Sequence, residues 1–214
     1  MRETPERFFI RRRTLLAGLA AGAAAPALAG ARAPVVTILG DSITAGLGLA
    51  AAAALPAQLA AALARRGTNA DVRGAGVSGD ATADGLARLD FSVRPDTAVC
   101  LVALGGNDLL QGLDPRTIRA NLTAIVRRLK ARGIVVVLAG ERAPRAVGAG
   151  YARDFNAVFP AVAAAEHAAL YPDLMAGVGP ALRQGDGLHP NAAGVKVIAA
   201  GLAPIVAHAL RQAR

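Results

Sequence analysis

Three histidines occur in the 214 residues of the chain. His167 follows a helical run and His208 lies among Ala, Val and Leu in the last helix, so both read as surface or packing residues. His189 stands instead in the polar loop Asp186-Gly187-Leu188-His189-Pro190-Asn191. An aspartate three residues before it can orient the ring and stabilise an imidazolium, leaving the other nitrogen to take a proton. Taken alone, Asp-x-x-His describes a structural turn equally well. A proton source is at hand in Gly40-Asp41-Ser42-Ile43, where an apolar run gives way to a helix start. A hydroxyl placed there lies at the sheet edge, beside backbone N–H groups with positive partial charge. It stays inert until a base removes its proton.

Two further loops supply hydrogen-bond donors. Gly76-Val77-Ser78-Gly79-Asp80 offers exposed backbone N–H groups, and Leu104-Gly105-Gly106-Asn107-Asp108 places an amide side chain after glycines that permit close approach. A glycine N–H, the Asn107 amide and the Ser42 N–H would give three donors for a developing oxyanion. Each such donor contributes about 3–4 kcal/mol of transition-state stabilisation.

These residues need a frame. Apolar, partly β-branched stretches at Val35–Leu39, Asp71–Ala75, Thr97–Leu104 and Ile134–Ala139 read as strands buried on both faces, and Ala168–Tyr171 as a short fifth. Between them, Leu55, Leu59 and Leu63 recur at helical spacing behind Pro56, and residues 82–89 form a short helix. Asp114-Pro115 opens a helix that Gly133 ends. Tyr151–His167, disturbed at Pro160, and Asn191–Leu210 complete the set. Such alternation predicts an α/β domain, a parallel sheet with helices on both faces and ligands at the carboxyl ends of the strands. The loops expected there are Gly40–Gly48, Gly76–Asp80, Gly105–Asp114, Gly140–Gly150 and Gln184–Asn191.

Gly40-Asp41-Ser42, Gly79, Asn107 and Asp186-x-x-His189, in this order and spacing, resemble the four blocks of the SGNH (GDSL) hydrolases from about Val35 to the C-terminus. Val77-Ser78-Gly79-Asp80, Gly85-Leu86-Ala87-Arg88-Leu89 and Asp186-Gly187-Leu188-His189-Pro190-Asn191 are closest to the thioesterase, lysophospholipase and arylesterase branch. The resemblance implies a flavodoxin-like three-layer sandwich with about five strands. It also implies Ser42 as nucleophile, His189 as base and then acid, and Asp186 as the residue orienting His189. The oxyanion hole would be the Ser42 N–H, the Gly79 N–H and the Asn107 side chain. The reaction implied by the resemblance is acyl transfer from a small ester or thioester followed by hydrolysis, with no metal or cofactor. Leu109, Leu110 and Leu113 either line an acyl pocket or fold back on the core. Leu188 stands where isoleucine is common and Gly74 where asparagine is, and neither touches the machinery. Alternatives on the same fold are a non-catalytic acyl- or lipid-binding module and a carbohydrate acetyl esterase.

Other classes fit less well. Gly74-Ala75-Gly76-Val77-Ser78-Gly79 matches a dinucleotide fingerprint, but after the second strand, and Asp96 precedes a strand instead of ending one. Thr44 stands where a G-x-S-x-G elbow needs glycine. The ligands of a metal hydrolase are too few. The net charge of +9 comes with 3% aromatic residues, without the aromatic interleaving of a nucleic-acid surface. The cations Arg127, Arg128, Lys130 and Arg132 suit a helix end, and the positive charge permits weak contact with anionic lipid. The lone Cys100, in an apolar run, reads as a buried thiol.

Residues 1–13 hold five arginines against two glutamates, followed by an uncharged stretch from Thr14 to Ala29 that ends in Ala27-Leu28-Ala29. This is the layout of a cleavable secretory leader, and Arg11-Arg12-Arg13 resembles a twin-arginine signal. Cleavage after Ala29 would remove 29 of the 214 residues and leave a hydrolase domain of 185.

Overall fold

The computed structural model describes residues 1–2 and 32–213. The leader expected over residues 1–29 falls outside them, apart from Met1 and Arg2. In chain order the elements are β1 (Val35–Gly40), α1 (Ser42–Ala45), α2 (Leu55–Arg65), β2 (Asp71–Gly76), α3 (Thr82–Ala87), α4 (Leu89–Ser92), β3 (Thr97–Ala103), α5 (Gly106–Leu110), α6 (Pro115–Ala131), β4 (Val135–Ala139), α7 (Ala149–Ala165), β5 (Ala169–Tyr171) and α8 (Ala192–Gln212). The five strands are parallel and lie in the order β2-β1-β3-β4-β5. The chain therefore runs outward from β1 to β2, then returns across β1 to build the other half of the sheet. Crevices for ligands open at this reversal, beyond the carboxyl ends of β1 and β3.

Successive strand residues point to opposite faces, which divides the core in two. Val36, Ile38, Val99, Leu101 and Val137 pack under α2 and α8 with Leu55, Leu59, Leu63, Ile198 and Leu202. Leu39, Cys100, Val102, Val136 and Leu138 pack on the other face against Leu122, Ile125 and Leu129 of α6 and Phe155 and Phe159 of α7. The result is the expected three-layer α/β sandwich. Cys100 is fully buried, and burial pushes its thiol up to about 12.

Two helical expectations are corrected. The single helix over residues 82–89 is two, because the backbone turns out of helical geometry at Arg88 (φ −97°, ψ 7°). Helix α7 runs without interruption through Pro160, as α8 does through Pro204. Both prolines are exposed, so the carbonyl that loses its N–H partner lies on the side where water can serve it.

Candidate active site

Ser42 is the first residue of α1, directly beyond the carboxyl end of β1. Asp41 caps that helix, its Oδ1 accepting the Ile43 N–H at 3.0 Å. Close backbone approach makes this abrupt start possible. A Cβ on Gly40 would lie 2.1 Å from Thr44 Oγ1 and 2.9 Å from the Ala103 carbonyl, and one on Gly76 would lie 2.4 Å from the Ala45 nitrogen. Gly74 faces Pro56 in the same way, at 2.7 Å. The first two glycines of the apparent dinucleotide fingerprint, Gly74 and Gly76, thus serve contact between β2 and the helices beside it.

Ser42 Oγ lies 2.9 Å from His189 Nε2, and His189 Nδ1 lies 2.6 Å from Asp186 Oδ2. Asp186 Oδ1 accepts the N–H groups of Leu188 at 2.8 Å and His189 at 3.0 Å. One carboxylate therefore folds its own turn and aims the imidazole. The bond from His189, then the two backbone N–H groups, hold the Asp186 carboxyl down at about 2. Gln184 fastens the turn to the serine loop: its N–H donates to the His189 carbonyl at 2.8 Å and its side chain to the Leu47 carbonyl at 2.8 Å.

The donor loops converge on the same point. Gly79 occupies a turn closed by Asp80 N–H on the Val77 carbonyl at 3.2 Å, with φ +91°. Asn107 Nδ2 donates to the Asp80 carbonyl at 2.9 Å and reaches Asp41 Oδ2 at 3.4 Å. Ser42, Gly79, Asn107 and His189 all line one cleft of about 810 Å³, with Asp186 behind the histidine. His167 and His208 are exposed elsewhere.

Leu109 and Leu110 also line the cleft, while Leu113 folds back on the core and gives its carbonyl to Tyr151 Oη. Pro144, Val147 and Met175 extend the apolar wall. Besides Asp41 of the Gly40-Asp41-Ser42 block, the cleft holds two acidic groups that carry no local sequence signal, Glu141 and Asp173. Burial raises the Asp41 carboxyl to about 6. Burial, then the charges of Asp41 and Asp173, raises that of Glu141 to about 8.

A serine, a histidine and an ionised aspartate in relay, opening on a cleft with amide donors, can carry out acyl transfer. Esterase TesA of Pseudomonas aeruginosa is 39% identical over 163 residues, which span 75% of this chain and 81% of that protein. Thioesterase 1/protease 1/lysophospholipase L1 of Escherichia coli K12 is 36% identical over 164 residues, 75% of this chain and 77% of that protein. The solved structure of AlinE4, a SGNH-hydrolase family esterase, superposes with a TM-score of 0.70 at 42% identity and covers 83% of this chain and 96% of its own. The model of the GDSL-like lipase/acylhydrolase family matches residues 38–197, from within β1 into α8. Every residue of the cleft lies inside that span, and the chain belongs to this family.

Proposed function

We propose that the chain is a serine hydrolase of carboxylic esters and thioesters that works through an acyl-enzyme on Ser42. The observation that carries this reading is the unbroken path from Ser42 Oγ through His189 to Asp186, at 2.9 and 2.6 Å. His189 Nε2 takes the hydroxyl proton as Ser42 attacks the acyl carbon, and the adjacent carboxylate stabilises the imidazolium. The negative charge reaching the acyl oxygen meets the Ser42 and Gly79 N–H groups and the Asn107 amide. Asn107 can serve it by releasing its long contact with Asp41 while keeping the bond to Asp80. The imidazolium then protonates the leaving oxygen or sulfur. In the second half, His189 takes a proton from water as it attacks the acyl carbon, then returns it to Ser42 Oγ as the acyl–Oγ bond breaks and the carboxylic acid leaves. Changing Ser42→Ala should lower hydrolysis of p-nitrophenyl butyrate at least about a thousandfold in folded protein. Retention of the parental rate would refute the assignment. Failure of a fluorophosphonate to label Ser42 would favour acyl binding without catalysis.

The cleft supports a small acyl substrate with an apolar chain, since its volume suits such ligands and Leu109, Leu110 and Met175 line it. Its mouth supports contact with an anionic lipid surface: Leu47, Leu110, Val147 and Leu188 are exposed there, with Arg142 and Arg145 in the same region. The basic, then uncharged, first 29 residues support export with cleavage after Ala29. A mass 29 residues short of the full chain in the exported protein is the expected result, and an intact N-terminus would replace cleavage with retention.

A further inference from the structure

Arg88 stands at the break between α3 and α4 with its side chain only 19% exposed. Its guanidinium makes four bonds, to groups on three separate segments. Nε donates to Asp80 Oδ2 at 2.6 Å, Nη1 to the Ala75 carbonyl and to Ser92 Oγ at 2.9 Å each, and Nη2 to the Gly40 carbonyl at 2.8 Å. Gly40 is two residues before Ser42. Asp80 follows Gly79, and the Asp80 carbonyl is the group that orients the Asn107 amide. A single planar cation therefore holds the strand end that carries Ser42 and the turn that carries Gly79. Through that turn it also sets the direction of Asn107.

We propose that Arg88 is a positioning residue that sets the mutual geometry of the three oxyanion donors. The proposal rests on the reading of Ser42, Gly79 and Asn107 as those donors. The chemistry needs arginine, because its N–H groups diverge in fixed in-plane directions and can span acceptors on different segments. A lysine ammonium is one compact charge on a flexible stem. Asp108 offers a contrast on the other side of Asn107. Its carboxylate accepts the Thr82 N–H at 2.8 Å and the Thr82 hydroxyl at 2.6 Å, which fastens α5 to α3 without touching Gly79 or Asp80. Arg88 is the side chain that ties the β1 end to the Gly79 turn, beside the Val77 N–H, which donates to the same Gly40 carbonyl at 3.1 Å.

The test compares Arg88→Lys and Arg88→Gln with the parent in the full chain. Active sites are counted by fluorophosphonate labelling carried to completion, and hydrolysis of p-nitrophenyl butyrate is normalised to that count. In both variants kcat per active site should fall at least about tenfold, with KM changed less than about threefold. The Ki of an alkyl trifluoromethyl ketone, whose adduct places an oxyanion in the same hole, should rise by a similar factor. A residue acting only on stability would reduce the count of active sites and leave kcat per site and the ketone Ki unchanged; that result overturns the proposal. Should neither variant fold, Asp80→Asn carries the test, because it weakens the tie to Arg88 and keeps the carbonyl that holds Asn107. The same fall in kcat and rise in Ki are expected, and parental values refute the role. Ser42→Ala is assayed alongside. Parental activity there removes the esterase reading itself, whereas a dead Ser42→Ala beside parental Arg88 and Asp80 variants removes only this inference.

Discussion

Asp186 and Glu141 are both carboxyl groups at the cleft, and their surroundings drive them in opposite directions. Asp186 is half exposed and receives three N–H donors, so it stays ionised. On the proposed mechanism, Asp186→Asn removes the charge that would stabilise the imidazolium and puts an amide against His189 Nδ1. A fall in kcat of about 10²–10⁴-fold with little change in KM is expected in a steady-state assay; a smaller fall would mean that His189 is held by other groups. Glu141 is partly buried near Asp41 and Asp173, and the fold favours its neutral form. Its carboxyl rises from the ordinary 4.5 to about 8, so the native state binds more protons than the unfolded chain between those values, and stability falls as pH rises through them. Glu141→Gln should therefore match the parent in thermal midpoint near pH 4.5 and exceed it at pH 9. The smaller decline left between about 4 and 6 belongs to Asp41, raised to about 6. A variant no more stable than the parent at pH 9 would show that Glu141 is not destabilised by ionisation. Asp186 was legible in the sequence because its partner lies three residues away. Glu141 was not, because the carboxylates that bear on it come from the loops after β1 and β5.

At the level of elements, β1, β3, β4 and the long helices were readable because burial imposes a pattern over five or more residues. The edge strands β2 and β5 have no fully buried residue, against the expectation of burial on both faces for β2. The single turns α1 and α5, which carry Ser42 and Asn107, have no repeat to read, and the break at Arg88 coincides with guanidinium bonds to residues distant in sequence. The glycines around these turns do two separable jobs. Gly76 leaves room, since a Cβ there would meet the Ala45 nitrogen at 2.4 Å and the Asp41 carbonyl at 2.6 Å. Gly79 supplies conformation, since a Cβ there meets nothing within 4 Å while φ is +91°. Gly76→Ala must push α1 away from β2, and about 1–3 kcal/mol of destabilisation is expected from such overpacking. Gly79→Ala should lower the melting temperature less but turn its N–H away from the cleft, so that kcat falls at least about tenfold. Thermal melts and kinetics on the two variants separate these roles. If Gly79→Ala keeps the parental kcat, its N–H is not an oxyanion donor.

Over the whole molecule, a net charge of +9 says nothing about where the cations lie. At the C-terminal end of α6 they are engaged within the fold: Arg127 pairs with Glu166 at 2.9 Å, Arg128 with Asp90, and Lys130 donates to the Glu166 carbonyl at 2.6 Å. Arg142 and Arg145 are exposed in the loop beyond β4, beside the apolar residues at the cleft mouth. A membrane-facing surface requires this pairing of apolar side chains with cations at one end. Each arginine near an anionic bilayer contributes about 1 kcal/mol, so the double variant Arg142→Glu with Arg145→Glu should bind vesicles containing phosphatidylglycerol at least about tenfold more weakly. The pair Arg127→Glu with Arg128→Glu makes the same change of net charge at α6. If binding is oriented by the cleft mouth, cosedimentation of this second variant should stay close to that of the parent. Parental binding should weaken as salt rises from 0.05 to about 0.5 M, since screening shortens the reach of exposed charges. Equal losses in the two double variants would mean that the protein responds to total charge alone, and the active-site end would have no preferred approach to the bilayer.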